Sequence, residues 1–326
     1  MDSNKIKNLA FGARDALRAE VAARIDSVLE SGSSERLDLP EKVRRLEATI
    51  DDKGMDAVVE STAYTWFNRL CALRFMDAKG YTPVPVVTPR PGATQPAILA
   101  DAAQGVFDPD FGFSRLVRDR VQSVLAGGSG SGANRTEAAY GELLVAVCDH
   151  YAQAMPYLFG EAVASSLVMP QGLLAEGSIL RRIVEDMDDE ECETVEVLGW
   201  LYQFYVAERK AEFNNKEDQK AAAEDIAPAT QLFTPDWIVK YLVENSLGRL
   251  WMLNNPNSAL AEKMDYYIAP EGETEDFIRV YSPEELTLCD PACGSGHILV
   301  YAFDLLFEIY QEEAYFPEDI PALILQ

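Results

Sequence analysis

Leu286-Thr287-Leu288-Cys289-Asp290-Pro291-Ala292-Cys293-Gly294-Ser295-Gly296-His297-Ile298-Leu299 is the stretch on which the reading of this chain turns. Leu286, Thr287 and Leu288 form a short apolar, partly β-branched run, long enough for a buried strand. Asp290 and Pro291 stop it, and Gly294, Ser295 and Gly296 predict a tight turn. From Ile298 the apolar residues fall at Ile298, Ala302, Leu305 and Ile309, which is helical spacing. The predicted order is strand, glycine turn, helix. Glycine lets the backbone adopt open φ and approach a ligand closely. A helix opening at such a turn aims free N–H groups and a partial positive charge at whatever sits there.

Known phosphate-binding patterns do not fit this turn. The dinucleotide fingerprint needs a third glycine where Leu299 stands. The Walker A pattern needs Gly-Lys-Ser/Thr, which does not follow. A short glycine turn with an acidic residue at the strand end suits a ligand with a cationic or amino-bearing part. The stretch resembles motif I of S-adenosylmethionine (SAM)-dependent methyltransferases. Asp-Pro-Ala-Cys-Gly-Ser-Gly in full is the form seen in adenine-specific DNA methyltransferases. The resemblance implies SAM as cofactor, with Asp290, Pro291, Ala292, Cys293, Gly294, Ser295 and Gly296 at its site. Asp290 would orient the cofactor, directly or through water, and Gly294 and Gly296 would admit it against the backbone. Cys293 has no expected catalytic role, because adenine methylation needs no covalent nucleophile. His297 reads as a helix-start residue rather than a ligand.

Upstream, Phe233-Thr234-Pro235-Asp236-Trp237-Ile238 reads as a helix opening, with Thr234 as N-cap and Pro235 at the first helical position. Ile238, Tyr241 and Leu242 are expected to pack inward. Taken alone this is an ordinary capped helix. Placed before the Asp290 turn, it resembles motif X of amino-methyltransferases, whose turn contacts the methionine part of the cofactor. The resemblance therefore adds Thr234 and Pro235 to the cofactor-binding set. The order, motif X then motif I, is that of restriction-linked adenine methyltransferases.

Composition bounds the rest. The chain has 326 residues, enough for about two domains, and a hydrophobic content of 48% supplies a core. No apolar run approaches the roughly 20 residues that span a bilayer, so no membrane association is expected. The first residues lack the apolar core of a signal peptide. Five scattered cysteines point to reduced thiols in a cytoplasm. Cys289 and Cys293 lack a second pair or a histidine cluster, so no metal site is expected. The net charge of −26 repels nucleic acid at long range, so this chain is not the main grip on DNA.

Before residue 225 the pattern is helical. Leu17, Val21, Ile25 and Val28 make one stripe, with Arg14, Arg18, Glu20 and Arg24 on its polar face. A second helix is expected from Pro40, a first-turn proline, to about Ile50. A third covers residues 55–77, with Trp66, Leu70 and Leu73 on one side. Its Arg69 and Arg74 are expected to pair with local carboxylates or line a solvated face, ahead of the alternative of contacting phosphates. Prolines 83, 85, 89, 91 and 96 make residues 81–97 a connecting loop, with an edge strand at 84–87 as an option. Residues 113–125, 137–159, 176–187 and 195–206 read as helices. The glycine- and serine-only run 127–132 is a linker or a loop tip. The acidic run 186–193 reads as a solvated helix end, and the charged stretch 208–220 as a loop or frayed helix leading into the next unit.

Further strings carry the resemblance across the whole chain. They are Asn8-Leu-Ala-Phe-Gly-Ala-Arg-Asp-Ala-Leu, Phe67-Asn-Arg-Leu-Cys-Ala-Leu-Arg-Phe-Met-Asp and Leu201-Tyr-Gln-Phe-Tyr. They resemble PglX-type adenine-specific DNA methyltransferases of BREX phage-defence systems. That family methylates the exocyclic amine of a flipped adenine through Asn/Asp-Pro-Pro-Tyr/Phe. No such string occurs here: Asp108-Pro109-Asp110-Phe111 lacks the second proline and precedes the cofactor motifs.

The expected architecture is a mainly α N-terminal domain, residues 1–225. The start of an α/β Rossmann-like SAM-dependent methyltransferase domain, residues 226–326, follows it. The chain thus reads as about the first third of a longer enzyme, or a split product, inactive alone. Implied partners are double-stranded DNA through the full-length enzyme and other phage-defence proteins, in a bacterial cytoplasm. The alternative is a non-catalytic helical interaction module of a defence complex with a vestigial cofactor fold. A dinucleotide-dependent enzyme is disfavoured by Leu299.

Overall fold

An apolar residue recurs every three or four positions through the first helix, α1 (Ser3–Leu29), from Ile6 and Leu9 through Leu17, Val21 and Ile25 to Val28, all fully buried. The computed structural model describes residues 3–127, 132–160, 166–214, 233–272, 276–294 and 296–326. They fall into two compact units, Met1–Glu208 and Arg209–Gln326.

In the first unit α1 is followed by α2 (Ser34–Asp38), α3 (Pro40–Lys53) and α4 (Met55–Ala78). Pro40 opens α3, as expected. The α4 face carrying Trp66, Phe67, Leu70 and Leu73 is fully buried. Arg14 and Arg18 of α1 both reach Glu60 of α4, at 3.1 and 3.2 Å. Arg14 is therefore buried at the α1–α4 seam, not on a solvated face. For Arg69 and Arg74 the solvated-face option fails, and carboxylate pairing holds for Arg74, with a partner distant in sequence. Both are 3% exposed. Arg69 donates to the carbonyls of Leu158, Phe159 and Gly160. Arg74 donates to the Met187 carbonyl at 2.7 Å and pairs with Asp189 at 2.6 Å. A guanidinium has five donors, so one buried arginine can close several exposed carbonyl ends.

Next come α5 (Ala97–Ala103), α6 (Arg115–Gly127), α7 (Gly132–Tyr151), the single turn α8 (Pro156–Phe159), α9 (Ile179–Asp186) and α10 (Glu196–Asn214). The centre of the glycine-serine run, 128–131, lies outside the described residues, as do 215–232. The option of an edge strand at 84–87 fails. The Asp77 carboxylate takes the N–H groups of Val86, Val87 and Thr88, each at 2.9 Å, so those donors are engaged without a neighbouring strand. Pro89 and Pro96 form an isolated bridge instead. The acidic run 186–193 is not simply solvated: Asp188 pairs with Lys5 at 2.7 Å, Asp189 with Arg74, and Met187 is fully buried.

The second unit holds α11 (Asp236–Val243), a π-helical turn (Glu244–Gly248), α12 (Arg249–Asn254), α13 (His297–Glu312) and α14 (Ile320–Ile324). Val239, Val243, Leu247 and Trp251 make a continuous buried stripe through the π turn. Ala302, Leu305 and Ile309 of α13 pack in the same core. Glu244 is wholly buried; it accepts the Tyr266 N–H at 2.5 Å and the Tyr301 hydroxyl at 2.7 Å. Asn245 and Asn254 bond to main-chain groups at 266–268 and 278–280. Polar side chains thus hold two irregular segments that would otherwise leave main-chain groups unpaired.

Among the described residues there is no β-strand. The helical character expected before residue 225 holds for the described residues, whereas the expected strand at 286–289 does not. Leu286 is extended (φ −75°, ψ 121°) and 8% exposed, but among the described residues no segment pairs with it in a ladder. An extended run becomes a strand only when a second run pairs with it. The Rossmann-like start is accordingly not seen as a sheet.

Candidate functional site

The acidic-glycine turn is built by its own side chains. Asp290 Oδ1 accepts the Ala292 N–H at 3.0 Å, which folds the chain back at Pro291. The Gly296 N–H donates to the Cys293 carbonyl at 2.8 Å. Gly294 and Gly296 sit at φ 55° and 79°, in the left-handed region that favours glycine. A Cβ at Gly296 would meet only Cys293 Sγ, at 3.9 Å. Glycine is thus required by the backbone, and the space before the turn is open. Pro291, Ala292, Cys293 and Gly294 are exposed; Ser295 lies outside the described residues. The first α13 bond runs from Val300 N–H to the Gly296 carbonyl, so the amides of the residues before it have no intrahelical acceptor.

The second turn differs from expectation by one residue. Pro235 is extended (φ −56°, ψ 146°) and occupies the N-cap position, with no side-chain cap, so α11 starts at Asp236 and Thr234 lies before the cap. The buried face is also rotated. Val239 and Val243 face the core, while Trp237, Tyr241 and Leu242 are 56%, 42% and 46% exposed. Valines at i and i+4, continued by Leu247 and Trp251, set the phase of this helix.

The two turns meet. His297 Nδ1 lies 3.2 Å from the Thr234 carbonyl oxygen. Its ring stacks on Phe233, centroids 4.8 Å apart and planes inclined by 8°. Asp236 Oδ1 is 3.9 Å from Nε2. One turn along α13, Tyr301 donates to Glu244, and Lys240 stands 6.0 Å from the Tyr301 ring while pairing with Asp236 at 3.2 Å. Burial first, and then the bond to Glu244, push the Tyr301 hydroxyl well above its ordinary range, so it stays a donor. The opening turns of α11 and α13 are therefore adjacent. Sequence reasoning took His297 for a helix-start residue, which it is. It missed the ring's link to Phe233 and Thr234, a contact between residues 63 apart with no local signal beyond an aromatic residue before Thr-Pro.

Chemically, the arrangement offers, among the described residues, the leading amides of two helices, at 236–237 and 297–299, which have no intrahelical acceptor, a carboxylate at Asp290 with one oxygen unengaged, and room at the glycines. It suits a small zwitterionic or cationic ligand. Among the described residues no group of histidine, cysteine, aspartate or glutamate could hold a metal ion, and no helix is long and apolar enough to cross a membrane.

Comparison with known proteins gives the class. The chain is 42% identical over 293 residues to the adenine-specific methyltransferase BrxX of Escherichia coli O9:H4 (strain HS), an alignment covering 86% of this chain and 23% of that protein. It is 32% identical over 365 aligned positions to the adenine-specific methyltransferase PglX of Lacticaseibacillus casei (strain Zhang), covering 97% of this chain and 30% of that one. The chain belongs to this BrxX/PglX-type family of adenine-specific methyltransferases. It spans between about a quarter and a third of the length of these curated relatives. No family model matches it.

Proposed function

We propose that this chain is part of a SAM-dependent, site-specific DNA adenine methyltransferase acting in BREX-type phage defence. In this reading, residues 1–225 are its helical N-terminal domain and residues 226–326 the start of its methyltransferase domain. Thr234, Pro235 and the turn from Asp290 through Pro291, Ala292, Cys293, Gly294 and Ser295 to Gly296 hold the cofactor. The observation that carries the reading is the contact of His297 with Thr234 and Phe233, which sets two helix-opening turns side by side.

The residues fit the ligand. The carboxylate of the cofactor's methionine part is matched by unpaired amides at the openings of α11 and α13. Its amino and sulfonium charges are matched by Asp290. The open left-handed glycines let the ligand lie against the backbone. SAM, when bound, supplies the methyl group; these residues bind and orient it. The adenine-binding Asn-Pro-Pro-Tyr string is not in the sequence, so no residue of this chain is assigned to the transfer step. The net charge of −26 supports weak DNA affinity for this segment, with double-stranded DNA bound elsewhere in the full-length enzyme. The proposed setting is the bacterial cytoplasm, with other phage-defence proteins as partners.

The test is transfer of a labelled methyl group from SAM to DNA. A protein of the relatives' full length should methylate adenine, and the 326-residue chain alone should not. Transfer by the chain alone would overturn the assignment of adenine chemistry to other parts. A full-length protein that never uses SAM would overturn the cofactor reading.

A further inference from the structure

We infer that His297 is a positioning residue that fixes the two cofactor turns in register; this rests on the cofactor reading above. The main-chain path from Asp236 to His297 runs through the π turn, α12 and the short 3-10 helices Ala259–Lys263 and Pro283–Glu285, so no direct connection sets the spacing of the two turns. The helices pack through Val239, Val243, Ala302, Leu305 and Ile309. That packing fixes the bodies of α11 and α13, not the loops that open them. At the openings the imidazole does the joining. It is the first residue of α13, its side chain is 10% exposed, and it lies flat on Phe233.

A carbonyl oxygen only accepts, so the nitrogen facing Thr234 carries the proton, and the ring is held with Nδ1–H as donor. Asp236 Oδ1, at 3.9 Å, lies beyond hydrogen-bond distance of Nε2. Stacking sets the plane of the ring and the Nδ1–H bond sets its rotation. Together they tie the Phe233–Asp236 backbone to the residue that directly follows Gly296. Loss of the ring leaves both helices in place but lets the two sets of unpaired amides move independently.

Two measurements test this. In the full-length enzyme, calorimetric titration should show SAM binding weakened about tenfold by His297→Ala, the scale of one hydrogen bond with its stacking partner. His297→Asn, which restores a donor near the Nδ1 position, should recover most of that loss, whereas a merely structural packing role would be better served by His297→Phe. In the 326-residue chain, which has two histidines, nitrogen NMR of ¹⁵N-labelled histidine should show His297 with its proton on Nδ1. A His297→Gln comparison assigns the signal. Equal SAM affinity in wild type and His297→Ala overturns the positioning role while the cofactor reading stands, and so does a neutral His297 ring protonated on Nε2. A wild-type enzyme that does not bind SAM overturns both.

Discussion

Two aspartates in this chain each hold a loop, and they do it differently. Asp77, near the end of α4, spends its whole carboxylate on the protein. It accepts three main-chain N–H groups and the Thr82 hydroxyl, and the residues it gathers, Val86 and Val87, are buried. Asp290, before the glycine turn, accepts one N–H from Ala292, and the turn it shapes is exposed. A carboxylate with its acceptor capacity filled is structural; one with an oxygen to spare in an open turn can serve a ligand. The same side chain thus marks a closed loop in the first unit and an open one in the second, which the proposed function makes the ligand's turn.

The largest expected effect falls on the open turn. In the full-length enzyme, Gly296→Val should abolish measurable SAM binding. A β-branched residue at φ 79° is strained, and its side chain fills the space that the ligand needs. Retained binding would mean the open turn is not the site. In the closed loop, Asp77→Ala should destabilise the first unit by about 3 kcal/mol, because three N–H groups lose their acceptor at once. Denaturant unfolding and faster proteolysis within residues 81–97 measure it. A loss under about 1 kcal/mol would erase the contrast between the two loops.

Asp290→Ala sharpens the comparison from the other side. It should weaken SAM binding by about 1–3 kcal/mol, read by calorimetry, while changing unfolding stability by less than about 1 kcal/mol. An aspartate that matters more for folding than for binding would place Asp290 with Asp77.

The smallest effect is a pH dependence confined to the first unit. Burial, reinforced by the nearby Glu137 carboxylate, pushes the Glu20 carboxyl up to about 7, and its Oε2 has no hydrogen-bond partner. The folded chain then holds this proton more tightly than the unfolded one. Its contribution to stability is full below pH about 4.5 and is lost as pH rises through 7. Glu20→Gln should flatten that slope and raise stability at pH 8 by about 1 kcal/mol, a value discounted for screening at a partly exposed group. Thermal melts of both proteins across this range read the difference; identical slopes would contradict it.

How much was legible in the sequence follows the range of each interaction. The helices α1, α3 and α4 were readable because their apolar stripes and the opening proline of α3 are local. The loop at 81–97 was readable from its prolines, but its closure was not, since Asp77 acts on residues 9 to 11 positions away and leaves no periodic trace. Arg69 and Arg74 read as pairing with local carboxylates or lining a solvated face, because the main-chain carbonyls they meet, and for Arg74 also the Asp189 carboxylate, lie roughly 90 and 115 residues off. The phase of α11 was misread for another reason: Tyr241 and Leu242 are apolar yet exposed, so hydrophobicity alone pointed to the wrong face. The run 286–289 has the composition of a strand, but pairing is a property of two segments. The glycine turn and the Thr-Pro helix opening were readable as motifs. Their meeting through His297 was not, since nothing local marks a contact between residues 63 apart.

The central claim is that the 233–236 and 290–296 turns hold one ligand together. Hydrogen exchange of the full-length enzyme, with and without SAM, tests it most directly, because unpaired amides at helix openings exchange quickly until a ligand covers them. The account predicts that SAM slows exchange in both turns at the same ligand concentration, with loops of the first unit such as 81–97 unchanged. Protection of one turn without the other, or of neither while SAM binds, would contradict it.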